Sequence, residues 1–326
     1  PLIHMFTQNY KILFFLLAYI GVVNAQQSIV TESLQVHLDA GNVSSYSGTG
    51  STWTDLTGNG HNGTLVNNPT YSSSRAGSIY TNGTNSYIYT NQIPGTGNSL
   101  QPLVLEVWVS PSNSNSGNIV MMSNSQPETN WNMPPITSEE GRFKALMWGG
   151  EKLSDNADFI PGEWYHLLLV WNPSTLTQSF YVNGVLKDSQ SSVNYSTDGV
   201  DHYMYLAQAN SGANNQGYFE GKYGKFRVYT KALTASEVLQ NHEAEVASFS
   251  GNITIVSSGG DSVNDTWKYD NNEIFTTSSN AEINVTDIET HLAAGPLTIT
   301  ANEIVFNTSV AIDGIGSTLN LNSKTH

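Results

Sequence analysis

The chain has 326 residues, with 27 Asp and Glu against 12 Lys and Arg and a formal charge of −15 with histidine neutral. It has no cysteine, which excludes disulfides, thiolate zinc sites and thiol nucleophiles. Phosphate backbones are bound through clustered Lys and Arg, and the absence of any such cluster argues against nucleic acid as a partner.

The first element is a predicted secretory signal peptide, 1–25. Lys11 supplies a positive start, Ile12 to Val23 a short apolar run, and "VNA" the small residues of a cleavage site at Ala25. That run is shorter than the ~20 residues of a membrane span. Residues 1–4 lie upstream of the expected start at Met5. No transmembrane segment is expected after cleavage, and the product is expected to be secreted or on the cell surface.

From Ser33 onward, short runs alternate apolar and polar residues between Gly, Asn, Ser and Pro. They include "LQVHLDAG", "SIYTNGTNSYIYT", "LVLEVWVSP", "NIVMM", "RFKALMW", "WYHLLLVW", "QSFYVNGVLKD", "MYLAQA" and "KFRVYTKAL". Period-two alternation at this density predicts an all-β sandwich or barrel. Asn183-Gly184 predicts a two-residue hairpin. In "LTASEVLQNHEAEV", Thr234 followed by Glu237 predicts a capped helix closing the first domain, 26–247.

Beyond Ser248 the composition turns to Asn, Thr, Ser and Ile. The runs "LTIT", "EIVF", "VAI" and "LNL" come at roughly even steps. Such spacing predicts the start of a β-solenoid over 248–326, continuing past the last residue.

"GNGHNG" (Gly58–Gly63) has the G-x-G-x-x-G spacing of a dinucleotide turn. No helix can follow through "TLVNNPT", and no Asp or Glu lies between Leu56 and Leu105 to hold a ribose. The match is accidental, and its glycines are expected to serve a tight connection.

The order of motifs resembles the bacterial LamG-like jelly-roll domains of the concanavalin A-like superfamily. The motifs are "WTDLTGNGHNGTL", "EVWVSP", "GEWYHLLLVWNPSTLTQSFYVNGV" and "GYFEGKYGKFRVYTKALTASEV". The resemblance implies a two-sheet jelly-roll sandwich, commonly a carbohydrate-binding or adhesive module of exported proteins. Relatives carry Ile-Asp-Glu or similar where this chain has Tyr223, Gly224 and Lys225, which puts a calcium ligand there in doubt. The stretch "DIETHLAAGPLTITANEIVF" is similar to the repeats of filamentous-haemagglutinin-type adhesins.

Hydrolases on this jelly roll place several carboxylates on one strand as E-x-D-x-x-E, so that one attacks while another delivers a proton. Here Glu106 stands alone, and Glu139-Glu140 point to opposite faces. No H-E-x-x-H or G-x-S-x-G is present. The chain is therefore expected not to be an enzyme. Calcium is the candidate cofactor, held by oxygen ligands from Asp39, Asp55 and Asn59 in Asn- and Gly-rich turns; local backbone bonding by the same residues is the competing reading. Trp131, Trp148, Tyr218 and Tyr223 lie in or beside irregular segments and are the candidate carbohydrate-binding aromatics, whereas Trp53, Trp108, Trp164 and Trp171 belong to strands and the core. The expected role is a recognition or adhesion module for a glycan or an extracellular protein. The alternatives are a structural cap on a surface solenoid and an ancillary domain of an exported carbohydrate-active enzyme.

Overall fold

The computed structural model describes residues 28–74, 76–126, 132–209, 217–250, 252–256, 259–260, 267–270, 273–276, 280–306 and 318–325. The expected signal peptide (1–25) and the run "VAI" (310–312) lie outside them.

The chain begins with β1 (Leu34–Asp39), β2 (Thr52–Trp53), β3 (Gly63–Val66), β4 (Thr70–Ser72), β5 (Ser78–Asn82) and β6 (Tyr87–Thr90). There follow β7 (Leu103–Pro111), β8 (Gly117–Ser123), β9 (Asn132–Glu139), β10 (Arg142–Ala145) and β11 (Leu153–Ser154). The sandwich is completed by β12 (Tyr165–Asn172), β13 (Thr177–Val182), β14 (Val185–Gln190), β15 (Tyr203–Leu206) and β16 (Glu220–Tyr229). Two helices close it, α1 (Ala235–Glu243) and α2 (Val246–Phe249).

The sixteen strands form two antiparallel sheets. The first runs β14-β13-β12-β7-β16-β5-β4 with β1 also on β16, and the second runs β11-β10-β9-β8-β15-β6-β3-β2. Strand alternation builds the core between them. Leu105 lies opposite Leu169 on one side and Val228 on the other, and Val107 opposite Leu167 and Phe226. These rows meet Ile88, Val120, Met122, Ile136, Met204 and Leu206 of the second sheet. Asn183 and Gly184, at φ 51° and 76°, make the expected β13–β14 turn.

The next row along β7 faces away from this core, yet every residue of β7 is buried. The cover is α1. Thr234 caps it with the expected reciprocal bonds to Glu237, a contact whose loss costs about 0.5–2 kcal/mol. Val238 packs onto Val104, Leu168, Val170, Tyr181 and Tyr229 on the sheet's outer face. Further along that face, Trp108 stacks on the α2 residue Phe249 at 4.2 Å and on His166 at 4.7 Å.

The remaining elements are β17 (Asn252–Val256), β18 (Trp267–Asp270), β19 (Glu273–Thr276), β20 (Asn280–Asn284), α3 (Val285–Leu292), β21 (Leu297–Phe306) and β22 (Leu319–Thr325). Here pairing is parallel for β17 with β20 and β21, and for β21 with β19 and β22. Ile253, Ile255, Ile274, Ile283, Ile288 and Ile299 belong to its separate core. Two details differ from the sequence expectation. "LTIT" and "EIVF" are one strand, β21, and α3 interrupts the run of strands. Its signal was present: Asn284 caps it, and Val285, Ile288 and Leu292 recur at helical spacing on its buried side.

Candidate functional site

The turn that carries "GNGHNG" is closed by its own hydrogen bonds. Gly58 and Gly60 adopt φ +83° and +82°, as a tight connection requires. Gly63 serves packing instead, since a Cβ there would meet Ile88, Leu38 and Trp53 at 3.2 Å. Asp55 Oδ1 accepts the N–H groups of His37 (2.9 Å) and Thr57 (3.1 Å). Its Oδ2 accepts the Thr57 hydroxyl (2.7 Å) and the His61 N–H (3.2 Å). The Asn59 amide nitrogen donates to the Gln35 carbonyl at 3.0 Å. The carboxylate of Asp55, expected as a calcium ligand together with Asn59, is thus buried and takes four hydrogen bonds, one from β1 and three from its own loop.

Asp39 is engaged too, by a cation built into the chain. Its Oδ1 accepts the Gly41 N–H (2.9 Å), and its Oδ2 accepts Lys225 Nζ (2.8 Å). Lys225 stands in the segment where the LamG resemblance expects an acid, and here it supplies an ammonium to Asp39 instead. Among the described residues no group of three or more His, Asp or Glu side chains is arranged to hold a metal.

Lys225 opens onto a larger buried network that sequence reading missed. Cross-strand register sets Glu106 beside Arg227, and Trp108 beside both His166 and Lys225. Glu106 Oε1 accepts Arg227 Nη1 (2.6 Å) and His166 Nε2 (2.9 Å), and its Oε2 accepts Asn241 Nδ2 (2.8 Å). Glu245, following α1, receives Arg227 through both Nη1 and Nη2, Trp108 Nε1 (3.0 Å) and Lys225 Nζ (2.9 Å). Burial alone would raise the Glu106 carboxyl, but Arg227 and the His166 hydrogen bond outweigh it and hold it at about 2. Glu245 is likewise pushed up by burial and brought below the ordinary range by Arg227 and Lys225. Burial, then Arg227, lowers His37 to about 4; burial, then His166, lowers His242 to about 3. The network fastens the helices to the sheet. Glu106, 1% exposed, is closed to any substrate.

Of the four predicted sugar-binding aromatics, three lie among the described residues, in three different settings. Trp131 lies outside the described residues. Trp148 is 46% exposed on the loop after β10, and Tyr218 is half-buried beside Asn118. Tyr223 is corrected outright: it is fully buried in the sandwich core, its hydroxyl donating to the Ile119 carbonyl at 2.9 Å. Trp53, Trp108 and Trp171 are buried as expected, whereas Trp164 precedes β12 and is only half-buried, against Phe249.

An aromatic face does exist, on regular strands of the second sheet. In "YIYT" (β6) and "YMYL" (β15), Ile88, Met204 and Leu206 enter the core, so the alternate tyrosines point outward. Tyr89 lies directly opposite Tyr205. The rings of Tyr87, Tyr89 and Tyr205 are 5.8–6.4 Å apart at interplanar angles of 33–37°. Tyr87, Tyr89 and Tyr203 are half-buried, while Tyr205 is buried with its hydroxyl on the Ser125 carbonyl. Thr64 and Val66 flank the group on β3, opposite Tyr89 and Tyr87. A tyrosine cluster on a sheet offers apolar ring faces with polar rims. Its signal in the sequence was the doubled Y-x-Y, read there only as evidence for strands.

Residues 82–239 match the family model described as the concanavalin A-like lectin/glucanases superfamily. No curated protein matches the chain. Among solved structures, domain 4 of an extracellular arabinanase from Geobacillus stearothermophilus, solved with arabinotriose, is similar at 19% identity and a TM-score of 0.46; the match covers 64% of this chain and 98% of that domain. The binding domain of a paraclostridial mosquitocidal protein is similar at 17% identity and a TM-score of 0.48, covering 65% of this chain and 52% of that one. The botulinum neurotoxin serotype G binding domain gives 14% and 0.46, covering 64% and 50%. The chain thus spans about half the length of either toxin domain.

Proposed function

We propose that the sandwich is an exported, non-catalytic recognition module that binds a glycan on the outer face of its second sheet. The observation that carries this reading is the half-buried tyrosines Tyr87 and Tyr89 of β6 and Tyr203 of the paired strand β15, with the buried Tyr205 ring packed against the first two. A sugar ring presents an apolar C–H face that packs on such rings, and its hydroxyls meet the phenol rims. The sequestration of Glu106 under α1 supports a binding role over hydrolysis. In this reading the parallel-paired segment after Ser250 begins a β-solenoid that carries the module at the cell surface.

The test is a glycan array probed with the full chain and with the Tyr87→Ala/Tyr89→Ala double variant. Binding by the parent that falls at least about tenfold in the variant supports the assignment, a loss of about 1.4 kcal/mol. Silence of the parent, or equal binding by the variant, overturns it.

A structural role is favoured by one separate observation: the short helix α2 packs against β21 and β22. On that reading the sandwich caps the parallel-stranded unit. Its signature is a folded parent that is silent on the array, together with loss of thermal stability in the C-terminal unit when residues 28–250 are deleted.

A further inference from the structure

A second concave site lies on the opposite side of the sandwich from the tyrosines, where the turn after β1 meets the α1–α2 corner. It is a cleft of about 710 Å³, within the range of small-molecule sites. Its polar lining comprises Asp39, Lys225, Glu245, Asn42, Ser28 and Ser248, with Val43 and Ala76 among the apolar groups. The three charged side chains form its floor: Asp39, Lys225 and Glu245 are 14%, 11% and 9% exposed.

The chemistry of that floor selects a ligand class. Lys225 has three N–H donors, of which one goes to Asp39 and one to Glu245, leaving one for an acceptor in the cleft. Each Asp39 oxygen accepts one hydrogen bond from the protein, and a carboxylate oxygen can take a second. The Asn42 side chain spends its oxygen on the Ser44 N–H (2.9 Å), so its NH₂ is the group it can offer a ligand. Donor and acceptor therefore stand side by side, with Lys225 Nζ and Asp39 Oδ2 only 2.8 Å apart. An anion would face both carboxylates, and a cation would face Lys225 with Arg227 behind it. A neutral molecule bearing two adjacent hydroxyls suits the pair, one hydroxyl donating to Asp39 and its neighbour accepting from Lys225. The apolar wall at Val43 and Ala76 then takes the C–H face of the same ring.

We infer that this cleft is a second binding site, distinct from the tyrosine face, for a neutral ring carrying a vicinal diol, that is, a single sugar unit. The inference does not depend on what the tyrosine face binds. Lys225 and Asp39 read the diol; Val43, 77% exposed at the mouth, borders the entrance.

The test uses the full chain and ligand-observed saturation-transfer NMR with methyl α-mannopyranoside and methyl β-galactopyranoside, and with cis-1,2-cyclohexanediol against cyclohexanol. At least one glycoside and the diol are expected to bind, and cyclohexanol is not. Val43→Trp fills the mouth without touching the ion pair, so it should weaken binding at least about tenfold with the melting temperature unchanged. Lys225→Met should weaken binding as much while also lowering the melting temperature, because it removes a partner of Asp39 and Glu245, with circular dichroism confirming that it folds. Tyr87→Ala/Tyr89→Ala should leave this binding intact. No binding by any probe, equal binding of cyclohexanol, or binding lost in the tyrosine variant but kept in Val43→Trp overturns the inference.

Discussion

Arg227→Met removes the guanidinium on which both buried carboxylates depend. Arg227 is itself fully buried, bonded to Glu106 through Nη1 and to Glu245 through both terminal nitrogens. Methionine fills much of the same volume and supplies no charge, so Glu106 keeps only His166 and Asn241, and Glu245 keeps Lys225 and Trp108. Deleting one partner of a buried ion pair costs about 3–5 kcal/mol, and with two acids exposed to the loss the upper end is expected. The pH dependence has a definite sign. In the parent the carboxyls are held low, so their contribution is present above the unfolded value of 4.5 and is lost as pH falls through about 2 for Glu106. In the variant burial acts without Arg227 and raises them, so the folded state gains relative stability when they are protonated. Urea unfolding followed by tryptophan fluorescence should therefore show a gap of about 5 kcal/mol between parent and variant at pH 7, narrowing at pH 5. A variant within about 1 kcal/mol of the parent at pH 7 would refute the assignment of the network as the fastening of α1, as would a gap that stays constant with pH.

His37 and His242 are held neutral, at about 4 and about 3. The unfolded chain takes up their protons below about 6.5, so the parent should lose on the order of a few kcal/mol between pH 6.5 and pH 4; a flat stability profile over that window would contradict their burial. Gly224→Ala places a Cβ 2.4 Å from the Phe249 ring and should cost about 1–3 kcal/mol, with Phe249→Leu restoring part of the melting temperature; a neutral Gly224→Ala would mean that α2 does not sit on β16. Millimolar calcium should leave the melting temperature unchanged, because Asp55 is engaged by its own turn and by His37 of β1, and Asp39 by Lys225; a saturable rise would support a metal site.

The sandwich was legible because it rests on local pattern. Alternation in "LVLEVWVSP", the Asn183-Gly184 turn and the Thr234–Glu237 cap each act within a few residues, and each appears in the structure. The site was legible only in fragments. Asp39 and Lys225 are 186 positions apart, and the bond between them exists only through the register of β1 on β16. Glu106 looked solitary in sequence because its partners arrive from β12, β16 and α1. Tyr223 misled for a related reason: it precedes a glycine and an interruption of the β7–β16 register, which reads as an irregular exposed segment yet turns its ring into the core. The tyrosine face was hidden by ordinary alternation, since Y-x-Y marks a strand before it marks a surface.

The helix that closes the sandwich also sets an order of events during synthesis. Strands β1 to β16 are complete once Tyr229 has left the ribosome, but Asn241 and Glu245 come later, and until they arrive Trp108, Arg227 and Glu106 face water on the bare sheet. The same late segment gathers the other end of the domain, with Asn241 accepting the Val30 N–H and Gln240 donating to the Ser28 carbonyl. A nascent chain is thus held short of its sealed form until nearly all of the domain has been made, so the outer face of the first sheet is the last surface of the sandwich to be closed.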